Sequence, residues 1–139
     1  MILIDTPVWS LALRRKPEVL NPAEQRAIRM LQQFVNEGRT ELLGPVRQEL
    51  LSGLREESQF RRLRDYLRAF PDTRVLAQDY EEAARASNQC RKTGIATSPV
   101  DMLLCAVALH HDWEIFTTDG DFIGYQSALK IRLVRSVEK

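Results

Sequence analysis

Four acidic residues, Asp5, Glu49, Asp101 and Asp119, are spaced so that a chain of alternating strands and helices would bring them together. Asp5 immediately follows the short apolar run Met1 to Ile4, and Asp119 and Asp121 follow the run Glu114 to Thr117. Glu49 falls in the first turns of a helical pattern that leaves the run Glu41 to Leu43, and Asp101 falls in the first turn of another. Ligands of open parallel sheets bind beyond the carboxyl ends of the strands, so acids placed just after strands converge on one sheet edge. Two unit charges about 6 Å apart repel by roughly 3 kcal/mol at an effective dielectric near 20. Such a cluster either raises its pKa values or binds a cation. With no His or Cys in the set, an all-oxygen site suits Mg²⁺ or Mn²⁺ rather than zinc. One or two hard cations so held are suited to phosphodiester cleavage.

Each acid also has a purely structural reading. Asp101 fits the capping pattern Ser98-x-x-Asp101, in which its carboxylate would bond the amide of the cap residue. The helix it opens, however, is apolar on nearly every side (Val100, Met102, Leu103, Leu104, Ala106, Val107, Leu109), and an ionised Asp at the head of a buried helix needs a partner. Asp5 could cap the helix that Thr6-Pro7 opens. Glu49 could be an ordinary solvated residue, and Asp119-Gly120-Asp121 could be a turn with its usual residues. Taken singly these are weak signals; their convergence is what points to a site.

The elements that must position these acids follow from the punctuation of the chain. Met1 to Ile4 reads as a buried strand, and Thr6-Pro7 as a cap followed by Pro at the first helical position. Asn21-Pro22-Ala23-Glu24 opens a second helix as a capping box, carrying Ile28, Leu31, Phe34 and Val35 until Gly38 stops it. Glu41 to Leu43 reads as a second strand, Gly44-Pro45 as the start of the Glu49 helix, and Gln59 to Phe70 as an Arg-rich helix ending before Pro71. Arg74 to Leu76 reads as a short third strand, Asp79 to Lys92 as a helix closed by Gly94, and Ser98 to His111 as the Asp101 helix. Strands at Glu114 to Thr117 and Ile131 to Val134 complete the set. Strands separated by helices imply parallel pairing through right-handed crossovers, hence an α/β sandwich with helices on both faces of a short sheet.

Composition narrows the class. At 139 residues, with 44% apolar and 28% charged residues, the chain has room for one domain, spanning residues 1–139, and one sizeable core. No apolar run reaches the length of a membrane span, and the first residues lack the features of a signal peptide, so a cytoplasmic location is expected. Cys90 and Cys105 lack metal-ligand spacing and read as reduced, packed thiols. The net charge is only +1, yet the basic residues are mostly Arg, which grips phosphate bidentately. The runs Arg14-Arg15-Lys16, Arg61-Arg62-Leu63-Arg64 and Arg91-Lys92 permit nucleic-acid binding, although solvated helix faces paired with Glu56, Glu57 and Asp65 would look the same. His110-His111 reads as a cationic pair favoured by the dipole of a helix end. Trp9 and Trp113 read as core or subunit-contact residues, and Phe60, Tyr66 and Phe70 as a packing face or partner groove.

Ile4-Asp5-Thr6-x-Val8-Trp9, the Glu49 helix, Gly94 followed by Asp101-x-Leu103-Leu104-x-Ala106-x-Ala108, and Thr117-x-Asp119-x-Asp121-Phe122 together resemble the PIN-domain ribonucleases. Within them the likeness is to the VapC-type toxins of toxin–antitoxin pairs, and it covers nearly the whole chain. It implies a PIN-like three-layer sandwich and a Mg²⁺- or Mn²⁺-dependent endoribonuclease. Asp5, Glu49, Asp101 and Asp119 would be its catalytic quartet, with Asp5, Asp101 and Asp119 on the metal. Thr6, Ser98, Thr117 and Asp121 would support them. The resemblance also implies cleavage that leaves a 5′-phosphate, a homodimer, a cognate antitoxin that blocks the groove, and contact with operator DNA only through that antitoxin. Pro7 and Cys105 depart from the usual small residues without threatening the site. A non-catalytic module of a repressor complex and a housekeeping PIN nuclease without an antitoxin remain as alternatives. A receiver domain lacks its mid-chain acceptor Asp here, and a haloacid-dehalogenase-type phosphatase would need Asp-x-Asp where this chain has Asp5-Thr6-Pro7.

Overall fold

A computed structural model describes residues 1–14 and 17–135. Four parallel strands form one sheet: β1 (Ile2–Ile4), β2 (Thr40–Glu41), β3 (Glu114–Phe116) and β4 (Arg132–Leu133), in the spatial order β2-β1-β3-β4. Among the described residues, seven α-helices flank it: α1 (Thr6–Arg14), α2 (Pro22–Asn36), α3 (Gly44–Leu51), α4 (Glu57–Leu67), α5 (Ala77–Lys92), α6 (Pro99–His111) and α7 (Asp121–Gln126). A 3₁₀ turn at Pro17–Val19 precedes α2. This is the helix-rich α/β sandwich with a short parallel sheet that the alternation of patterns predicts.

β1 and β3 are the two inner strands, and β1 is the more deeply buried. Each of its residues is buried, as a parallel strand covered on both faces requires, and its run is apolar without alternation. Ile4 stands level with Phe116 of β3, and Leu3 with Glu41 of β2. The chain leaves both β1 and β3 at the same sheet edge. α6 is apolar around its whole circumference from Met102 to Ala108 because it lies in the core, with α5 along one side. The capping box at Asn21 forms as read, with the Glu24 amide donating to Asn21 Oδ1 at 2.8 Å and the Asn21 amide to Glu24 Oε1 at 3.0 Å. Gly38 ends α2 at φ +66°, a left-handed conformation that favours glycine. Trp9 is fully buried against Phe70, and Cys90 and Cys105 are buried free thiols.

Several expectations need correction. No strand forms over Arg74 to Leu76. The only pairing there is a single parallel bridge between Leu42 and Asp72, after which Asp79 Oδ2 accepts the Leu76 amide at 2.8 Å and turns the chain into α5. α1 begins at Thr6 rather than after it, because the Asp5 carbonyl already accepts the Val8 amide. The short helix α7 at Asp121–Gln126 is not among the expected elements. His110 is more than a cation at a helix end, since its Nδ1 lies 2.7 Å from the buried Asp79 carboxylate and ties the end of α6 to the start of α5. The Arg61 to Arg64 run follows the bland reading: Arg61 pairs with Glu57 and Arg64 with Asp65 on a solvated face. Of the run at Arg14-Arg15-Lys16, Arg15 and Lys16 lie outside the described residues. No described helix is long and apolar enough to cross a membrane.

Arg47 on α3 holds the corner that carries Glu49. Its Nε donates to Asp72 at 2.7 Å, its Nη1 to the Leu67 carbonyl at 3.0 Å, and its Nη2 to the Phe70 carbonyl. Leu67 is the last residue of α4 and Phe70 lies in the turn after it, so one guanidinium on α3 fastens the end of α4 and the chain that leaves it. Arg47→Met should therefore destabilise the protein by about 2 kcal/mol, whereas Asp72→Asn, which removes only a solvated ion pair, should cost under about 1 kcal/mol. Urea unfolding of both variants tests this, and equal losses would mean that the carbonyl bonds contribute little.

Candidate active site

The parallel register of β1 and β3 fixes the first two acids. Asp5 follows β1 directly and its amide donates to the Phe116 carbonyl at 2.9 Å, so the chain beyond β1 stays beside the chain beyond β3. Thr117 then bridges the two ends: its hydroxyl donates to Asp5 Oδ2 at 2.8 Å and accepts the Asp119 amide at 3.0 Å. The Thr6 amide donates to Asp5 Oδ1 at 2.8 Å, so both oxygens of this carboxylate, which is only 4% exposed, are engaged. Asp119 Oδ1 in turn accepts the Asp121 amide at 2.9 Å at the opening of α7.

The other two acids arrive on helices. The Thr6 hydroxyl donates to Glu49 Oε1 at 2.6 Å and so links α1 to α3. Glu49 is exposed, as its bland reading expects, yet it lines the same pocket as Asp5, Asp101 and Asp119. Thr6, Pro7, Pro45, Gln48, Ser52 and Val100 complete the lining. At the head of α6, Ser98 acts as the cap, its hydroxyl accepting the Asp101 amide at 3.2 Å. The Asp101 carboxylate is turned elsewhere: Oδ2 accepts the Tyr125 hydroxyl at 2.6 Å.

Tyr125 is the residue that sequence reasoning missed. It is 2% exposed, lies on α7 beside Phe122, and reaches back to α6 with its hydroxyl. The signal available was the Phe122/Tyr125 spacing, which places both rings on one helix face after Asp121. Gln48 and Ser52, flanking Glu49 on the pocket-facing side of α3, were missed as well.

The electrostatics are those of crowded, half-dry acids. Burial raises the Asp5 pKa to about 6, with Asp101 and Asp119 adding to the rise and the Thr117 and Thr6 bonds opposing it. Burial raises Asp101 too, Asp119 and Asp121 adding to it and the Tyr125 and Ser98 bonds opposing it. Tyr125 and Cys105 hold their protons far above their ordinary range, through burial first and then the nearby Asp101 carboxylate. The donor chemistry fits a hard divalent cation. One carboxylate oxygen from each of Asp101, Asp119 and Asp121 lies within 4.8 Å of the others, and no nitrogen or sulfur ligand belongs to the group. The hydrogen bonds to Glu49 and Asp119 each engage one oxygen, so the second oxygen of each of these carboxylates is available to a ligand.

The partner face expected over Pro45 to Phe70 is only partly present. Leu50, Leu63 and Leu67 are buried in the chain's own core, because α4 docks on α3 through them. What faces outward is a groove between the end of α1 and α4, lined by Leu13, Leu54, Gln59, Arg62 and Tyr66 with the edge of Leu63.

A family model described as PIN domain matches residues 2–126, a span that includes all four acids and Tyr125. No curated protein matches the sequence. Among solved structures, the chain is similar to FitAcB from Neisseria gonorrhoeae at TM-score 0.70 and 21% identity, covering 98% of each chain. A toxin–antitoxin complex from Klebsiella pneumoniae superimposes at TM-score 0.70 and 17% identity over the full length of both chains. VapBC2 from Rickettsia felis, bound to a DNA fragment from its promoter, does so at TM-score 0.72 and 14% identity, covering 96% of this chain and 98% of that one. At these identities the likeness is one of fold.

The raised Asp5 pKa makes a pH prediction for protein freed of divalent cations. The folded state holds the Asp5 proton up to about pH 6, whereas an unfolded chain releases it near 3.8. Between those values the folded state binds more protons, so stability falls as pH rises. Asp5→Asn removes that titration. Its stability relative to the native sequence should therefore rise by up to roughly 3 kcal/mol between pH 4 and pH 7. Unfolding both proteins in EDTA across this range tests it; a difference that stays flat with pH would show that Asp5 titrates normally.

Proposed function

The chain belongs to the PIN-domain family, and from that premise we propose that it is a divalent-metal-dependent endoribonuclease, the toxin of a toxin–antitoxin pair. The observation that carries this reading is the meeting of Asp5, Glu49, Asp101 and Asp119 around one pocket, each carboxylate tied by a hydrogen bond. PIN domains are generally nucleases, and the structural neighbours include toxin–antitoxin complexes. We assign the quartet as catalytic, with Asp5, Asp101 and Asp119 as the principal ligands of Mg²⁺ or Mn²⁺ and Asp121 beside them. Thr6, Ser98, Thr117 and Asp121 support the carboxylates. The protein acts in the cytoplasm as a homodimer of one-domain subunits, and it meets operator DNA only through its antitoxin.

When bound, the cation neutralises the carboxylates and stabilises negative charge on the phosphodiester and on the leaving oxygen. The chain supplies the rest. Thr117 and the Thr6 amide fix Asp5, Tyr125 fixes Asp101, and Thr6 fixes Glu49, so each acid presents one orientation to the pocket. Water attacks phosphorus in line and gives its proton to a pocket carboxylate; Asp5 and Asp101, whose burial raises their proton affinity, are suited to receive it. The bond from phosphorus to the 3′-oxygen breaks, and that oxygen takes up a proton from solvent, leaving a 5′-phosphate on one product and a 3′-hydroxyl on the other. An amphipathic antitoxin helix fits the groove between α1 and α4, and a basic antitoxin side chain reaching the pocket would replace the cation's charge.

Two measurements test the reading. Excess Mn²⁺ added after EDTA should raise the melting temperature, since a cation at about a hundredfold over its dissociation constant adds roughly 2.7 kcal/mol. Asp101→Asn should leave the fold intact and lower RNA cleavage by roughly a hundredfold or more, the scale of losing charge stabilisation in the transition state. A variant that cuts RNA as fast as the native protein would reduce Asp101 to a structural residue. A native protein that cuts no RNA with either cation, and retains no protein partner on co-expression with the neighbouring reading frame, would end the toxin reading.

A further inference from the structure

The acidic pocket repels the polyanion it is proposed to cut, so the strand must be held beside the acids rather than by them. Two grooves adjoin the pocket. One shares Pro7 with it, and its lining contains Glu24 and no cationic residue. The other shares Pro45 and Val100 with it and runs along α5 beside the first turns of α6. No carboxylate lines this second groove, and it contains Arg91. Arg91 is exposed and forms no ion pair with a described residue; its Nη2 only approaches the Ser87 hydroxyl at 3.4 Å. Ala83, Met102 and Leu103 give the groove an apolar floor. At its other end Tyr80 is 58% exposed, so its ring is open to a ligand lying in the groove.

We propose that this groove holds a single-stranded segment of the substrate RNA, with an unpaired base stacked on Tyr80 and a phosphate on Arg91. The inference rests on the ribonuclease reading and adds the path that the strand takes beside the acids and the two residues that hold it there. Tyr80 and Arg91 are eleven residues apart, about three turns and ~16 Å of helix, so they share one face of α5. At that separation they contact different nucleotides of one strand. An apolar floor beside an exposed ring suits an unstacked base, which a duplex does not offer, and a free guanidinium suits the backbone. Charge decides between the two adjoining grooves, because only this one offers a cation without a carboxylate.

The test uses the full chain with Mn²⁺ and a short fluorescent oligoribonucleotide, single-stranded or annealed to its complement. The single strand should be cut and the duplex resisted. Tyr80→Ala should raise KM by about tenfold with kcat nearly unchanged, and Tyr80→Phe should restore the native value, because stacking and not the hydroxyl is at work. In the Asp101→Asn background, Arg91→Gln should weaken binding and reduce the slope of log K against log salt by about 0.7, one phosphate contact on a single strand. Arg39→Gln, at a residue that pairs with Glu37 just ahead of β2 and lines neither this groove nor the acidic pocket, should leave that slope unchanged. If the native protein cuts the oligonucleotide but the Tyr80 and Arg91 variants keep its KM and salt slope, the RNA runs elsewhere and the proposal is overturned. It is also overturned if sedimentation shows either variant turning a dimer into a monomer, since the groove would then seat a second copy of the chain. A native protein that neither binds nor cuts RNA would remove the ribonuclease reading, and this path with it.

Discussion

The hydrogen bond from Thr117 to Asp5 joins residues 112 positions apart and sits where the two central strands end. It forms because β1 and β3 are parallel and in register, so their chains leave the sheet side by side. Everything else in the site is arranged around it. Asp119 is positioned by the same Thr117 hydroxyl, Thr6 extends the chain of bonds from Asp5 to Glu49, and Asp101 lies near enough to raise the Asp5 pKa. A sheet with three-residue central strands thus fixes an acidic cluster through side-chain bonds at its edge. The fold supplies adjacency, and the hydroxyls convert adjacency into orientation.

That arrangement is opposed by its own electrostatics. Asp5 is almost wholly buried, and its proton affinity is raised chiefly by desolvation, with like charges second. A carboxylate that is buried, fixed and close to others is strained in its ionised form, and the strain is relieved by a proton or a cation. The bonds from Thr117, the Thr6 amide and Tyr125 favour the charged forms and so oppose desolvation. They hold the acids close to ionisation instead of letting them become neutral hydrogen-bonded core groups. The same balance explains why Tyr125 is buried with its hydroxyl pointed at Asp101: the phenol satisfies a carboxylate oxygen without adding charge.

The sequence made the quartet legible because strand ends and helix starts carry local signals. Apolar runs, Pro at the head of helices and Ser98 as a cap all survive in the structure. Long-range side-chain bonds carry no such signal. Nothing local in the sequence says that Tyr125 bonds Asp101, or that Arg47 spans to the end of α4. The expected strand at Arg74 to Leu76 failed for a related reason. A three-residue stretch is too short to outweigh a competing local bond, and Asp79 capping the Leu76 amide commits the segment to α5. His110 shows the reverse case: the end-of-helix signal was real, and a buried Asp79 from a neighbouring helix gave the imidazole a more specific partner.

The cluster that makes cation chemistry possible also shapes the surface around it. A site that concentrates negative charge excludes a phosphate chain until that charge is balanced, and even then it offers the strand little to hold. Several of the arginines are already engaged elsewhere. Arg47 is committed to helix α4, and Arg61 and Arg64 are paired on their own helix. A protein with a net charge of +1 must therefore place its uncommitted cations with care. The groove along α5 has the complement that the pocket lacks: a guanidinium, an exposed ring and no carboxylate, reached across Pro45 and Val100. On the proposed reading, the two regions divide the work of a nuclease in the way their charges require. Acids gather where bonds are to be broken, and apolar and cationic groups gather where the chain is to be held.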